Sequence, residues 1–583
     1  MTPPLADELP HRALARFLAE HATGERALAP EQLAVWDRGE IFPSDACATL
    51  DVFGLPDYYV PTQYGGRLRS LDELMQLWRA VARHDLTVAI GHGKTFLGCV
   101  CVWLAGDRLQ RSAVARDVLA GSPVSLGLTE RDHGADLLAS ELRAVPNDDG
   151  WRIDGEKWLI NNATRGQLMC VLARTGSARN PHGFSLFLID KRRLRPETVR
   201  CLPKVRTSGI RGADISGIAF HDARAPHDAL IGRASAGFEI VLKGLQLTRS
   251  ACVGMSLGAA DHAFHLTLGF VHERELYGRR LSDLPMARRV LGETLAMHYA
   301  AEAVACAVAR AASWLPAEMG VMSAISKAFV PSTAEQLLGK LGELLGAGAC
   351  LDPGHGHGHR LFQKVERDHR IVPIFDGSTV VNRQSLINHF PMLARGWRRR
   401  DHDADGIKRT FDISQTVSAL PLDALALVSA RGCSIVQALP ASLDALSSEV
   451  VARRAPPELP VLASRLAVLA EDVMTWMARY ELTARTVPAA AFEFARRYEL
   501  CFAGAACIRF WLHERESATV AADPQAVWLR AALTWLIGEI DPRVADEHCG
   551  AIDSLGGNAI DNPAIWTDGI SLWATRTDRG TNA

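Results

Sequence analysis

The chain has 583 residues, 48% of them hydrophobic and 22% charged, with a formal charge of −2. That length predicts three or four folded units, and the near-neutral balance gives no reason to invoke nucleic acid or a membrane surface as a partner. Twelve cysteines, scattered without metal or disulfide-framework spacing, predict reduced thiols in a cytoplasmic protein. The N-terminal MTPPLADELPH lacks the pattern of a signal peptide, and the apolar run Thr95–Ala105 is too short to cross a bilayer.

Residues 1–122 read as a helical domain, because Leu14, Phe17 and Leu18, then Leu71, Leu74, Met75 and Trp78, recur at helical spacing. Cys99 and Cys101 lie in an apolar helical run and read as core. Over 123–235 the period drops to two, which predicts a β domain. Asp154-Gly155, between Trp151–Ile153 and Glu156–Ile160, predicts a hairpin. Further strands at 169–173, 184–189 and 215–220 suggest an antiparallel sheet or small barrel, and without strand–helix alternation a Rossmann fold is excluded. Residues 236–397 return to helical spacing (Phe238, Val241, Leu242 and Leu245; Val290, Leu291 and Leu295; then Met322 to Leu345), as in an antiparallel bundle. Arg395 to Arg409 (RGWRRRDHDADGIKR) predicts a charge-dense linker. Residues 405–583 predict a helical extension, with helices over Pro460–Arg485, Pro488–Glu516 and Pro524–Glu539 and a turn-rich last fifty residues or so. The fold class is mainly α with a central β domain.

One stretch, Arg367–Asn382 (RDHRIVPIFDGSTVVN), offers a reaction centre. Asp376 follows the apolar run Ile371–Phe375, where a carboxylate can be desolvated enough to serve as a general base. Gly377 permits close approach, so neighbouring amides can face a bound carbonyl oxygen. A capped turn, with Asp376 bonding nearby amides, accounts for the same residues.

A series of motifs breaks that tie. Thr129-Glu130-Arg131-Asp132-His133-Gly134-Ala135-Asp136 resembles the flavin loop of the acyl-CoA dehydrogenase family, and Gly155 to Asn162 (GEKWLINN) its Gly-x-Lys-x-Trp-Ile-x-Asn strand. Gly209 to Asp214 with Phe220, Asp222 and Pro226 resembles the end of its β domain. Glu273 to Gly278 (ERELYG) resembles its Arg-x-x-Phe-Gly segment, Arg367 to Ser378 its terminal Arg-Asp…Glu-Gly-Thr, and Val60 to Gly66 its N-terminal loop. Together these cover residues 1 to about 395 in order. The resemblance implies a helical domain, a barrel-like β domain, a four-helix bundle and an added C-terminal helical domain. It implies FAD between the β domain and the bundle, and oxidation of an acyl thioester, on CoA or an acyl carrier protein, to its α,β-enoyl product. Asp376 would be the base and its amide part of the oxyanion site. Leu126, Leu128, Thr129, Gly134, Ala135, Leu159, Asn161, Arg274, Tyr277, Glu343, Ala347 and Ser378 would hold FAD, with Arg274 meeting the pyrophosphate of a neighbouring subunit. Ala135, Arg249, Phe375 and Gly377 would face the substrate, and no metal is implied. The extension resembles in size that of the family's very-long-chain members, which implies a homodimer, and the electron acceptor would be a flavoprotein or O2.

The departures from the family pattern are specific. Asp376 stands where Glu is usual, which retracts the carboxylate by roughly 1.5 Å, one C–C bond. Thr248 stands where some members carry the base instead. Ala135 replaces the loop serine, Leu159 the stacking Trp (with Trp158 beside it), Asn161 a Thr, and Pro285 and Glu343 two glutamines. Gln246 replaces an acidic residue, a motive for expecting a carrier-bound substrate. Nitroalkane oxidase, a relative with Asp at the base position, makes a flavin oxidase of a small carbon acid an alternative; a non-catalytic scaffold with 405–583 as a docking module is another. The histidines of Gly354–His359 (GHGHGH) read as a loop rather than a metal site, and Arg398-Arg399-Arg400 as a solvated linker rather than an anion-binding patch.

Overall fold

Side-chain caps set the starts of three N-terminal helices: Ser70 accepts the Glu73 amide, Asp85 the Val88 amide, and Asp107 forms a capping box with Gln110. The computed structural model describes residues 8–562 except 25, 177–179, 353–360, 418, 453–454, 483–485 and 517–524. The described chain forms two compact units, residues 1–255 with 417–427, and 256–416 with 428–583.

The first unit opens with α1 (Pro10–His21), α2 (Pro30–Gly39), α3 (Ser44–Phe53), α4 (Leu71–Ala82), α5 (Leu86–Ala105) and α6 (Arg108–Leu119). By length and composition the twenty residues of α5 could cross a membrane, further than the run Thr95–Ala105 implies, but here most of the helix is buried inside the protein. Cys99 and Cys101 are buried on it, as expected.

Eight strands follow: β1 (Val124–Gly127), β2 (Arg143–Asn147), β3 (Gly150–Asn161), β4 (Leu168–Arg174), β5 (Phe184–Asp190), β6 (Val199–Leu202), β7 (Ile215–Pro226) and β8 (Leu230–Ile231). They form one sheet in the order β6-β7-β3-β2-β4-β5-β8, with β1 beside β4. The sheet is mixed rather than antiparallel, because β1 runs parallel to β4, Val124 opposite Leu168. Its core is built from Ile153, Met169, Val171, Phe187, Ile189 and Phe220.

Asp154-Gly155 is not a hairpin. The β2–β3 turn falls earlier, with Asn147 opposite Gly150, and β3 continues through Asp154-Gly155 with a shift of register against β7. Asp154 Oδ1 accepts the Asp222 amide at 2.7 Å. A Cβ at Gly155 would stand 2.8 Å from Leu142 Cα. The dipeptide therefore serves a bulge and a close crossing, two other uses of the same residues. The long α7 (Gly237–Glu273) comes next, and the boundary between the units lies within it.

The second unit continues with the short strands β9 (Glu275–Leu276) and β10 (Arg279–Arg280), then α8 (Pro285–Trp314), α9 (Met319–Leu345), α10 (Phe362–His369), α11 (Thr379–Ile387), α12 (Phe390–Arg399) and α13 (Ala404–Phe411). Its extension holds α14 (Ser434–Gln437), α15 (Leu439–Val451), α16 (Glu458–Arg479), α17 (Ala489–Glu516), α18 (Val527–Gly538), α19 (Pro542–Glu547) and α20 (Gly550–Asp561).

Two expectations fail in this unit. The charged stretch 395–409 is no linker, because α12 buries Phe390, Leu393, Ala394 and Trp397, an i, i+3, i+4, i+7 face, and carries its arginines elsewhere. Arg400 caps that helix with φ 55° and lies 4.3 Å from the Trp397 ring. The turn-rich tail contains two helices, α19 and α20. A Cβ on Gly556 would stand 1.9 Å from Arg288 O, and one on Gly292 1.9 Å from Ile552 O. These glycines let α20 and α8 touch backbone to backbone. Residues 354–359 lie outside the described residues.

Candidate functional site

The turn that holds Asp376 is built around a buried cation. Lys327, fully buried on α9, donates from Nζ to Val372 O at 2.7 Å and Gly377 O at 3.3 Å, and lies 5.3 Å from the centre of the Phe375 ring. Asn382 Nδ2 donates to Gly377 O at 2.8 Å and Ser378 O at 3.0 Å. Ser378 caps α11 by accepting the Val381 amide at 3.3 Å. Between these clamps the backbone turns left-handed, Asp376 at φ 56° and Gly377 at φ 101°. Such a conformation is strained for Asp, and persists where its surroundings over-determine it. Phe375, Asp376, Gly377 and Ser378 are all half-buried. Beneath them His369 Nε2 meets Ser256 Oγ at 2.9 Å, and burial, with Lys327 nearby, pushes the imidazole down to about 3.

In the first unit, β1 leads into the loop holding Thr129, Gly134 and Ala135. Thr129 pairs with Trp158 on β3: its hydroxyl donates to Trp158 O at 2.7 Å, and its carbonyl accepts the Trp158 amide at 2.9 Å. Glu130, next in the chain, accepts Lys157 Nζ at 2.7 Å and the amides of Glu141 and Leu142 at 2.6 and 3.0 Å. Lys157 also donates to Leu128 O at 3.0 Å. Burial alone would push Glu130 up, but Lys157 and the two amides outweigh it and hold the carboxyl below its usual range. Both ends of the loop are thereby pinned, while Arg131, Asp132, Gly134, Ala135 and Asp136 stay exposed.

Leu159 occupies a second register shift of β3, with φ 58° and 44% of its surface exposed. A bulge there re-aims a side chain out of the strand's alternation. Trp158 is half-buried with the Arg131 guanidinium 4.8 Å from its ring. Asn161 Nδ2 donates to Ile90 O at 3.2 Å. Leu126 is buried, Leu128 half-buried and Arg249 buried.

The remaining positions are on the surface of the second unit. Arg274 follows α7 directly and is exposed. Tyr277 and Gly278, at φ 54° and 73°, make the two-residue turn between β9 and β10, and Tyr277 is 96% exposed. Glu343 and Ala347 are exposed at and just past the end of α9.

Gln246 has a different employment from the one expected. Its Nε2 donates to Ala426 O at 2.9 Å, fastening residues 417–427 to α7. Four contributors were not singled out from the sequence. Glu130 and Lys157 sit inside quoted motifs, and their pairing needed the β1–β3 neighbourhood. Lys327 had a trace, a lone cation in an apolar helix, which demands a buried partner. Asn382 had none.

A mainly helical chain with one mixed sheet has counterparts of known structure. An acyl-CoA dehydrogenase of Bacillus anthracis complexed with FAD matches at a TM-score of 0.70 with 14% identity, over 96% of each chain, so the extension is part of the shared fold. The prolyl acyl carrier protein oxidase AnaB matches at 0.58 and 16% identity, over 65% of this chain and 97% of its own. Residues 125–223 match the acyl-CoA dehydrogenase middle domain and 235–389 its C-terminal domain. A Mycobacterium tuberculosis protein named "Probable acyl-CoA dehydrogenase FadE25" is 26% identical over 369 residues, 63% of this chain and 92% of that one. Residues 125–389 thus carry the middle and C-terminal domains of the acyl-CoA dehydrogenase family, whose members are FAD-binding flavin oxidoreductases.

The residues present fit that cofactor. Asn161 Oδ1 is buried and accepts no hydrogen bond from the described residues; leaving such an acceptor unmet is costly, and a ligand N–H or O–H relieves it. The exposed guanidinium of Arg274 suits a diphosphate.

Proposed function

We propose that this protein is an FAD-dependent dehydrogenase of acyl thioesters in which Asp376 is the base. Its carboxylate takes the α-proton; the C–H electron pair becomes the α,β double bond as hydride leaves the β-carbon. Bound FAD supplies the hydride acceptor. Leu126, Leu128, Thr129, Gly134, Ala135, Leu159, Asn161, Arg274, Tyr277, Glu343, Ala347 and Ser378 would hold it. Ala135, Arg249, Phe375 and Gly377 would face the acyl group. The enolate oxygen would be met by the Asp376 amide. The observation that carries this reading is the left-handed turn at Asp376, whose next carbonyl, Gly377 O, is held by both Lys327 and Asn382.

The substrate carrier is open to choice. Gln246 is engaged by Ala426, so its loss of acidity is no argument for a carrier protein, and AnaB supplies a precedent on this fold only. CoA esters are therefore the first substrates to try. Asp376 itself favours the second reading, an oxidase of a small carbon acid. Purified protein is expected to be yellow and to bleach under nitrogen on adding a thioester. Bleaching by nitroalkanes alone, with peroxide formed in air, would select the oxidase; a colourless protein that binds no FAD would end both.

A further inference from the structure

The helix after the base turn is fastened to the C-terminal extension by a buried ion pair. Successive side chains on a helix point about 100° apart, so Asn382 can reach back to the turn while Arg383 reaches elsewhere. Arg383 Nε and Nη2 donate to the two carboxylate oxygens of Glu499 at 2.9 and 3.0 Å. Glu499 stands on α17, a helix of the extension, and is 1% exposed. Burial pushes its carboxyl up, Arg383 and the more distant Arg496 pull it down, and Glu493 adds to the rise. α11 packs on α17 as well as on α9. Desolvating a carboxylate is expensive, and a bidentate guanidinium returns geometric definition as well as energy. A docking module needs no such charge where it meets the helix behind a catalytic turn.

We propose that the C-terminal extension is a working part of the reaction centre, with Glu499 a positioning residue that acts through Arg383 and α11 to fix Asp376. The inference rests on Asp376 being the base. Glu499→Gln keeps the shape and removes the charge. With the full-length flavoprotein and a panel of butyryl-, octanoyl- and palmitoyl-CoA, anaerobic bleaching per bound flavin is expected to slow about tenfold or more, at unchanged half-saturating thioester concentration and flavin content. Arg383→Lys, which keeps the charge and loses the fork, is expected to slow it less. A merely structural role would lower flavin content and melting temperature and leave the rate per flavin alone. Wild-type bleaching by a folded Glu499→Gln protein overturns the proposal. Should that variant not fold, hydrogen exchange on the wild type decides. Residues 371–378 are expected to lose protection together with α17 across a urea series, and earlier opening of the turn overturns the coupling. A wild type bleached by no thioester or nitroalkane would instead count against Asp376 as base, and the exchange experiment would still report on the coupling.

Discussion

Lys327 illustrates what single residues do here. Its ammonium is fully buried and answers two carbonyls of the base turn. Lys327→Met preserves the stem and orphans both acceptors, so it is expected to cost about 2–4 kcal/mol in urea unfolding; a loss under about 0.5 kcal/mol would mean water replaces the ammonium freely. Glu318 offers a pH signature. Its carboxylate accepts the amide and hydroxyl of Ser434 at 2.7 and 2.5 Å. Burial nevertheless pushes it from 4.5 up to about 6, against those bonds. Between these values the folded state holds the proton that the unfolded state has released, so stability is lost as pH rises through the window. The loss is about 2 kcal/mol. The stability difference between wild type and Glu318→Gln should therefore shift by that amount from about pH 4 to about pH 7, and a flat difference would contradict it. The proposal for Asp376 came from a carboxylate between an apolar run and a glycine. Lys327 and Glu318 were not, because their partners lie 45 or more positions away in the chain.

At the scale of elements, the loop after β1 depends on one internal ion pair. Lys157→Met leaves Glu130 buried with two amides and no countercharge, at a cost of about 3–5 kcal/mol. Because Lys157 also holds Leu128 O, the variant should weaken FAD retention on gel filtration; full retention at wild-type stability would separate the pair from the loop. Periodicity located the long helices and the central strands, although β4 and the first half of α9 are buried on every side rather than on one face. It failed where a residue has two physical uses. Asp154-Gly155 suits a tight turn and a bulge equally. The glycines of α20 lower helix propensity while permitting contact with α8. The arginines of α12 concealed an apolar face.

For the whole molecule, motif order across residues 1 to about 395 carried the family and the general architecture. The fold shared with the Bacillus anthracis structure covers 96% of the chain, the helical extension included. Sequence spacing was silent on the return of residues 417–427 to the first unit, because nothing local marks a segment held by Gln246 and by the burial of Leu425.

The most direct measurement is the absorbance of the oxidised flavin under nitrogen, in wild type and Asp376→Asn, on adding acyl-CoA thioesters. Wild type is expected to bleach, and Asp376→Asn to stay yellow with its flavin bound. Bleaching of the asparagine variant at the wild-type rate would remove Asp376 from the chemistry.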